Sequence, residues 1–469
     1  MVKKDPDKLL EQKNKLINSA PNNNLWIPKH NIKMKYINNN TWFDFQQSDH
    51  RTLLKKFNPK EIQFNEFNDE TLYYAKQVDL DLTKEQKKIL QKHFISGIKM
   101  YNEALKYIKA NKIYKFEKVR DALKPICHEI VERSGDVKEK RRHRKNKKGE
   151  KRQINCKKPK HYVKVHDLDL MVDLACCNYK SALSNFRAGN IKHFKVKKWK
   201  FNKKIKILHL EKTGFTGEDE KKKRINTMLR KALGKVKATF NGKEFDFGTV
   251  KCDSKIQYND FTKKYTLFVS EVVDKIDTNP VNKIISLDPG VRTFMTGITE
   301  KNVIKIGSNC GDKIRYYLRK IDNINNSKMH LEQKRKLERK YNSIINNFVD
   351  EMHWKTINEL TKNYKVILLG DMSCQDITNK RRSKLDNMTK RVTYKLKFYQ
   401  FKQRLENKCK IRSNYFKYVD ESYTSKICSS CGNVKDNLGG NKVYDCSNCH
   451  KVICRDTNGA RNIYAKAFV

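Results

Sequence analysis

Apolar positions recur along the chain with two different periods. AKQVDLDL, from residue 75, alternates and puts Val78, Leu80 and Leu82 on one face, the pattern of a half-buried strand. The next stretch, KEQKKILQKHFISGIKMYNEALKYIKAN, carries Ile89, Leu90, Phe94, Ile98, Tyr101, Leu105 and Ile108 at helical spacing. Thr83 is its N-cap, and Gln86 at the third helical position completes a capping box. Helical pattern continues to about Arg133. Residues 134–161, SGDVKEKRRHRKNKKGEKRQINCKKPKH, are densely basic without apolar periodicity and read as a loop. A helix resumes over 166–187. FKVKKWKFNKKIKILHL then alternates basic and apolar residues, as a strand with one basic face would, and KVKATF, EFDFGTVKC and KYTLFVSEVV read as further strands. Residues 1–70 are polar and rich in Asn and Lys, with scattered aromatics (Trp26, Tyr36, Trp42, Phe43), and are expected to form an extended or loosely folded arm.

The second half has a different rhythm. IISLDPG (284–290) is a buried-type strand closed by a turn, and MTGIT and NVIKIG read as the next two strands of a meander. Residues 312–362 are helical and charged. YKVILLGDMS (364–373) is a second buried strand, followed by the basic loop NKRRSKLDN and one long helix through about Lys410. A strand (YFKYVDES), a cysteine cluster and a short helix (NGARNIYAKAF) come last. No internal repeat is visible.

Charge narrows the class of partner. Lys and Arg number 103 against 52 Asp and Glu, so the formal net charge is 103 − 52 = +51 over 469 residues. Such a chain repels itself and calls for a polyanion. Nucleic acid is the first candidate, because each phosphate contact releases counterions. A membrane surface is the rival, but no apolar run is long enough to span a bilayer, and VKKDPDKLLEQKNK after Met1 has no apolar leader region. The length fits two to four domains. The 13 cysteines are an odd number and include two C-x2-C pairs, which points to metal in a reducing compartment and not to a disulfide framework.

The cysteine spacing is the sharpest chemical signal. Cys428-x2-Cys431 and Cys446-x2-Cys449 form two knuckles, the usual way to close a tetrahedral four-thiolate zinc site, and Gly432 suits the tight turn after the first. Four protein ligands leave no open position, so this Zn2+ is structural. His450 and Cys454 lie close enough to be alternative ligands. Carboxylates at strand ends form a second signal. Asp288 ends the run Ile284-Ile285-Ser286-Leu287, Asp371 follows Val366-Ile367-Leu368-Leu369-Gly370, and Asp456 precedes Asn458-Gly459. Each could be only a turn former or helix cap. Together, on neighbouring elements, such acids can hold two divalent cations that activate water in phosphodiester hydrolysis.

SLDPGVRTFMTG, YTSKICSSCG, the second cysteine pair and CRDTNGARNI, in this order over 281–469, resemble the first nuclease motif, zinc ribbon and third nuclease motif of the transposon-encoded TnpB proteins. The resemblance is weaker over 75–280, where the strand–helix at 75–110 and NFRAGNIKHFKVKKWK look like the family's wedge and recognition regions. It implies an α/β multidomain chain: an RNase H-like (RuvC) domain (281–427 and 450–469) with an inserted zinc ribbon (428–449). A β-barrel-like wedge (71–82 and 195–280), a helical recognition domain (83–194) and an arm (1–70) would precede it. One departure matters. TnpB proteins carry a catalytic Glu at the end of the second RuvC strand, where this chain reads Gly370 or, after a one-residue shift, Asp371. Glu421 stands instead beside the zinc ribbon, as in the relocated arrangement of the Fanzor proteins of eukaryotes and giant viruses.

The resemblance therefore implies an RNA-guided DNA endonuclease with Asp288, Glu421 and Asp456 as catalytic Mg2+ ligands and Asp371 as an alternative or auxiliary acid. Its partners would be a guide RNA encoded beside the gene and target double-stranded DNA, held by a monomeric ribonucleoprotein without a membrane. Guide pairing would carry sequence specificity, while the protein reads a short adjacent motif. Arg141, Arg142, Arg144, Lys195, Lys197, Lys198, Lys200 and Arg461 are the expected nucleic-acid contacts. A nuclear location follows for a eukaryotic or viral origin, a cytoplasmic one otherwise; secretion is not expected. Two competing readings are an RNA-guided binder without cleavage and a basic zinc-ribbon DNA-binding or transposase-associated protein that needs no RNA.

Overall fold

The computed structural model describes residues 42–51, 62, 72–134, 143–145, 151–153, 163–202, 204–217, 225–229, 232–276, 280, 282–374, 378, 385–439 and 441–468. The chain separates into two compact units: a middle unit, Tyr73–Val273, and a flanking unit made of the residues on either side. The first strand, β1 (Phe43–Gln47), belongs to the flanking unit.

In the middle unit β2 (Tyr73–Asp81) leads into α1 (Lys84–Asn111). Thr83 and Gln86 form the reciprocal cap, the Thr83 hydroxyl accepting from the Gln86 N–H at 3.2 Å and the Gln86 side chain from the Thr83 N–H at 2.9 Å. The Gln86 amide also donates to the Leu233 and Lys235 carbonyls, so the cap anchors a distant loop. After α2 (Phe116–Ser134), the basic run holds a short hairpin, β3 (His143–Lys145) with β4 (Lys151–Gln153), where the sequence pattern gave only a loop. Then come α3 (Val165–Arg187), β5 (Ile205–Leu210), β6 (Lys237–Phe240), β7 (Lys243–Glu244), β8 (Ser254–Asn259) and β9 (Lys264–Val272).

These strands form an antiparallel sheet in the order β5-β8-β9-β2-β6-β7. No hydrogen-bonded pair joins β5 to β7 among the described residues, so the expected barrel closure is not made by the ladder. Leu90, Phe94 and Leu105 of α1, Met171 and Val172 of α3 and Val78, Leu208 and Leu267 of the sheet share one core. Two strand expectations fail here. EFDFGTVKC yields only the two-residue β7 and a 3-10 turn at Phe247–Thr249. FKVKKWKF is extended but outside any ladder. Its backbone is satisfied by side chains of α1: the Asn102 amide brackets Trp199 at N–H and C=O (2.7 and 2.9 Å), and Lys109 donates to Val196 O.

The flanking unit is built on a sheet ordered β1-β12-β11-β10-β13-β14. Its strands β10 (Asn282–Pro289), β11 (Thr293–Ile298) and β12 (Asn302–Ser308) form an antiparallel meander. Helices α4 (Cys310–Asn326) and α5 (Leu331–Asn363) lead to β13 (Tyr364–Gly370), which lies parallel to β10. Helices α6 (Asn387–Leu396) and α7 (Phe398–Arg412) replace the single expected helix, because Lys397 takes a left-handed conformation at φ 52°. Strand β14 (Tyr415–Val419) is parallel to β13. The small hairpin β15 (Val443–Asp445) with β16 (Val452–Cys454) and the last helix, α8 (Arg455–Lys466), complete the unit.

Strand periodicity sorts the two faces. Ile285, Leu287, Ile367, Leu369 and Phe416 face the core shared with α4–α7, while Ile284, Val366, Leu368 and Val419 pack with Ala460, Ile463 and Tyr464 of α8. The first seventy residues contribute more than an arm. β1 pairs with β12 at the sheet edge, and Trp42 is buried with its ring 5.0 Å from Phe348. Among the described residues no helix is long and apolar enough to cross a membrane.

Candidate functional site

Asp288 lies on the α8 face of β10, in step with Ile284 and Ser286. The parallel register pairs Ser286 with Leu368 and Leu287 with Leu369, which sets Asp288 level with Gly370 at the end of β13; Gly370 in turn is level with Val419 of β14. Glu421 follows two residues later. A Cβ built on Gly370 would overlap the Glu421 carboxylate, so the missing side chain on β13 is the space through which Glu421 leans toward Asp288. From above, α8 presses onto the same spot. Ser286 Oγ donates to Ala460 O at 2.9 Å, and a Cβ on Gly459 would stand 2.5 Å from Asp288 Oδ2. Asp456 lies in the first turn of α8, where the helix dipole favours a negative charge.

Three carboxylates thus converge from β10, the end of β14 and the start of α8. Burial first, then the charges of Glu421 and Asp456, push the Asp288 carboxyl well above its ordinary range. Burial raises Glu421 to about 7, with Asp371 and Asp420 adding to the shift and Lys402 opposing it. Glu421 Oε1 is buried and has no hydrogen-bond partner. A deep acid among like charges and an orphaned carboxylate oxygen are costly alone, and a cation relieves both. The donor set therefore fits divalent metal. The acids form a looser set than a closed metal cage: among the described residues, the one group of three or more candidate ligands within 4.8 Å of one another is the cysteine cluster. Asp371 acts on Glu421 through its charge but is not buried with it. It is exposed and ion-paired to Lys402, which also donates to Met372 O at 3.0 Å.

The cysteine cluster has a repeated knuckle. Cys428 N–H donates to Asn433 O and Gly432 N–H to Cys428 O; in the same way Cys446 N–H donates to Lys451 O and His450 N–H to Cys446 O. Gly432 and His450 occupy matching positions, both with positive φ (77° and 53°). His450 therefore serves the turn and is not among the clustered ligands. The Sγ atoms of Cys428 and Cys449 are 3.6 Å apart, and those of Cys431 and Cys446 3.5 Å. Four sulfurs this close, with backbone N–H groups of Asn448 and Cys449 directed at Cys446, suit a tetrahedral zinc ion, which would hold all four as thiolates.

Side chains of α8 fasten the ribbon to the acids. Asn458 donates to Ile427 O and accepts from the Ser429 N–H; Asn462 donates to Thr424 O and Ile427 O. Arg461 requires a correction. Expected as a phosphate contact or a surface charge, it is buried and donates to Ser429 Oγ at 2.9 Å and to His50 Nδ1 at 2.7 Å. Lys195, Lys197, Lys198 and Lys200 are exposed along the extended segment over α1. Arg144 lies in β3, and Arg141 and Arg142 are outside the described residues. Sequence reasoning passed over Lys402, Asn462 and His50. For His50 no local signal exists, since its partner is 411 positions away.

Residues 398–463, from α7 through the ribbon into α8, match the family model described as Cas12f1-like, TNB domain. The chain is similar to a TnpB-like protein of Acanthamoeba polyphaga mimivirus, 29% identical over 468 residues that span 93% of this chain and 84% of that protein. It is also similar to a putative transposase of Paramecium bursaria Chlorella virus 1, 26% identical across 84% of this chain and 86% of the relative. The solved structure of the mini-RNA-guided endonuclease CRISPR-Cas phi3 aligns with a TM-score of 0.45 at 10% identity, over 85% of this chain and 93% of that one.

Proposed function

For a chain akin over nearly its whole length to a giant-virus TnpB-like protein, we propose RNA-guided DNA endonuclease activity, with one RuvC-type site that hydrolyses phosphodiester bonds using Mg2+. The observation that carries this reading is the convergence of Asp288, Glu421 and Asp456, with Gly370 and Gly459 leaving the room they need. The sheet order supports the RNase H-like assignment: a meander on one side of β10 and parallel strands on the other. When bound, the divalent ions supply a lowered water pKa and charge stabilisation of the leaving oxygen. The chain's own part is to hold them. Asp288 is the fixed base of the set, Glu421 closes it from β14, and Asp456 reaches in from α8. A looser carboxylate set suits Mg2+, which commonly completes its shell with substrate phosphates and water.

Lys402, by holding Asp371 aside, keeps that acid from crowding Glu421. The exposed lysines at 195, 197, 198 and 200 track phosphate, and in this reading 71–82 with 195–280 act as wedge and 83–194 as recognition region. The ribbon, 428–449, holds structural Zn2+. In this reading the location is nuclear for a eukaryotic or viral origin and cytoplasmic otherwise.

The test is to co-express the chain with its native flanking DNA, purify it and sequence the RNA that accompanies it. A discrete RNA mapping beside the gene, and Mg2+-dependent cleavage of matched DNA that Asp288→Ala abolishes, is the expected result. Guided binding without cleavage would select the inactive binder. Tight duplex binding that survives RNase, with no specific RNA, would select the unguided zinc-ribbon protein.

A further inference from the structure

Arg461 stands five residues beyond Asp456 on α8, is 8% exposed and forms no salt bridge with a carboxylate among the described residues. A buried guanidinium without counter-charge is strongly destabilising. Its Nε donates to the hydroxyl of Ser429, the residue that follows Cys428, so the guanidinium stands beside the first cysteine knuckle. Four thiolates around one Zn2+ carry a net charge of −2, so the loaded ribbon supplies the charge Arg461 lacks. What aims the guanidinium at the ribbon is His50. The histidine is 2% exposed, and its Nδ1 accepts from Arg461, which fixes a neutral ring with its proton on Nε2. Its own backbone N–H donates to Glu300 O at 2.9 Å, and the Ser48 N–H donates to Lys301 O, so the segment after β1 is pinned beside the turn between β11 and β12. The contacts form a continuous line: turn, His50, Arg461, Ser429, first cysteine knuckle.

We propose that His50 is a positioning residue. It holds Arg461 against the zinc–thiolate ribbon and so fixes α8, coupling the segment after β1 to the ribbon and to the carboxylate carried by Asp456. The effect on zinc stands by itself; the effect on Mg2+ rests on the nuclease reading.

The first readout is the rate at which the full-length chain, with its co-purifying RNA, releases zinc to a chromogenic chelator. His50→Ala removes an acceptor from a charged donor and is expected to speed release about tenfold. His50→Gln, whose amide oxygen can accept the same bond, is expected to restore the wild-type rate. Ser429→Ala, which cuts the line at its other end, is expected to give an intermediate rate. Leu405→Ala serves as the control for plain loss of stability, since it opens the core on the other face of the sheet. Unchanged release in His50→Ala overturns the proposal, as does equal acceleration by Leu405→Ala at a matched drop in melting temperature. The second readout is the Mg2+ concentration that half-saturates cleavage, expected to rise several-fold in His50→Ala and to recover in His50→Gln. A wild-type chain that never cuts would sink the nuclease reading and leave the zinc result to decide the role of His50.

Discussion

Gly370 and Gly459 each leave a space that lies against a carboxylate, and this predicts how single substitutions behave. Gly370→Ala puts a methyl group into the Glu421 carboxylate, and Gly459→Ala does the same to Asp288. Each is expected to cut the cleavage rate by about 100-fold, the scale of a misplaced reacting group, with a much smaller change in melting temperature. Glu421→Ala is expected to abolish cleavage while Asp371→Ala, which loses only an exposed ion pair with Lys402, retains it. The reverse pattern would refute the assignment. Metal should also change how pH acts on stability. Glu421 is raised from 4.5 to about 7 and Asp288 in the same direction, so both favour the fold when protonated. Their contribution is present below the ordinary carboxylate range and lost as pH rises through the folded values. In the proposed nuclease, Mg2+ held by these acids would cancel that loss. The Mg2+-induced rise in melting temperature is therefore expected to be larger at pH 8 than at pH 5, and to vanish in Asp288→Asn. Position alone singles out Asp288 at a strand exit and Asp456 at a helix start, and both stand there in the fold, but the same rule singles out Asp371. The reach of Glu421 could not be found this way, because it depends on an absent side chain on the strand between.

At the scale of elements, the ribbon and α8 behave as one piece. Asn458 and Asn462 direct their hydrogen bonds to residues 424–429, Arg461 joins Ser429 to His50, and the small size of Gly459 makes room for Asp288. Removing zinc should therefore be felt in the helix. Cys428→Ser or Cys446→Ser is expected to eliminate about one bound zinc per chain, to raise amide hydrogen exchange through α8, and to abolish cleavage without touching any of the three acids. Full protection of α8 in a zinc-free chain would contradict this coupling. Elements with a strong local signal were legible in advance: the capping box at Thr83, the buried strand before Asp288, the two cysteine knuckles. Misreadings occurred where side chains or distant chain replaced the ladder. FKVKKWKF keeps the alternation of a strand, yet Asn102 and Lys109 satisfy its backbone. The long helix breaks at Lys397, a residue with no breaker signature. β1 was hidden because a single edge strand in a polar stretch has no period long enough to register.

Across the whole molecule the charge of +51 makes the behaviour of the free chain different from that of any complex with a polyanion. Exposed lysines can contact phosphate without fixing sequence, and each contact contributes about 0.9 to the slope of log K against log salt for duplex DNA. Lys195, Lys197, Lys198 and Lys200 are all exposed on one extended segment while Phe194, Val196 and Trp199 pack inward. Replacing the four by alanine leaves that packing intact, so the fold should survive. The slope for non-specific DNA binding is expected to become shallower by roughly 2 to 4, one step per lost phosphate contact, with little change in affinity extrapolated to high salt. An unchanged slope would mean that this face carries no phosphate and that the excess charge works elsewhere, with the basic run at 134–161 as the next segment to test. Arg461 belongs in neither set. Its charge is turned inward toward the ribbon, and Arg461→Ala should leave the salt slope where it was while loosening the zinc site.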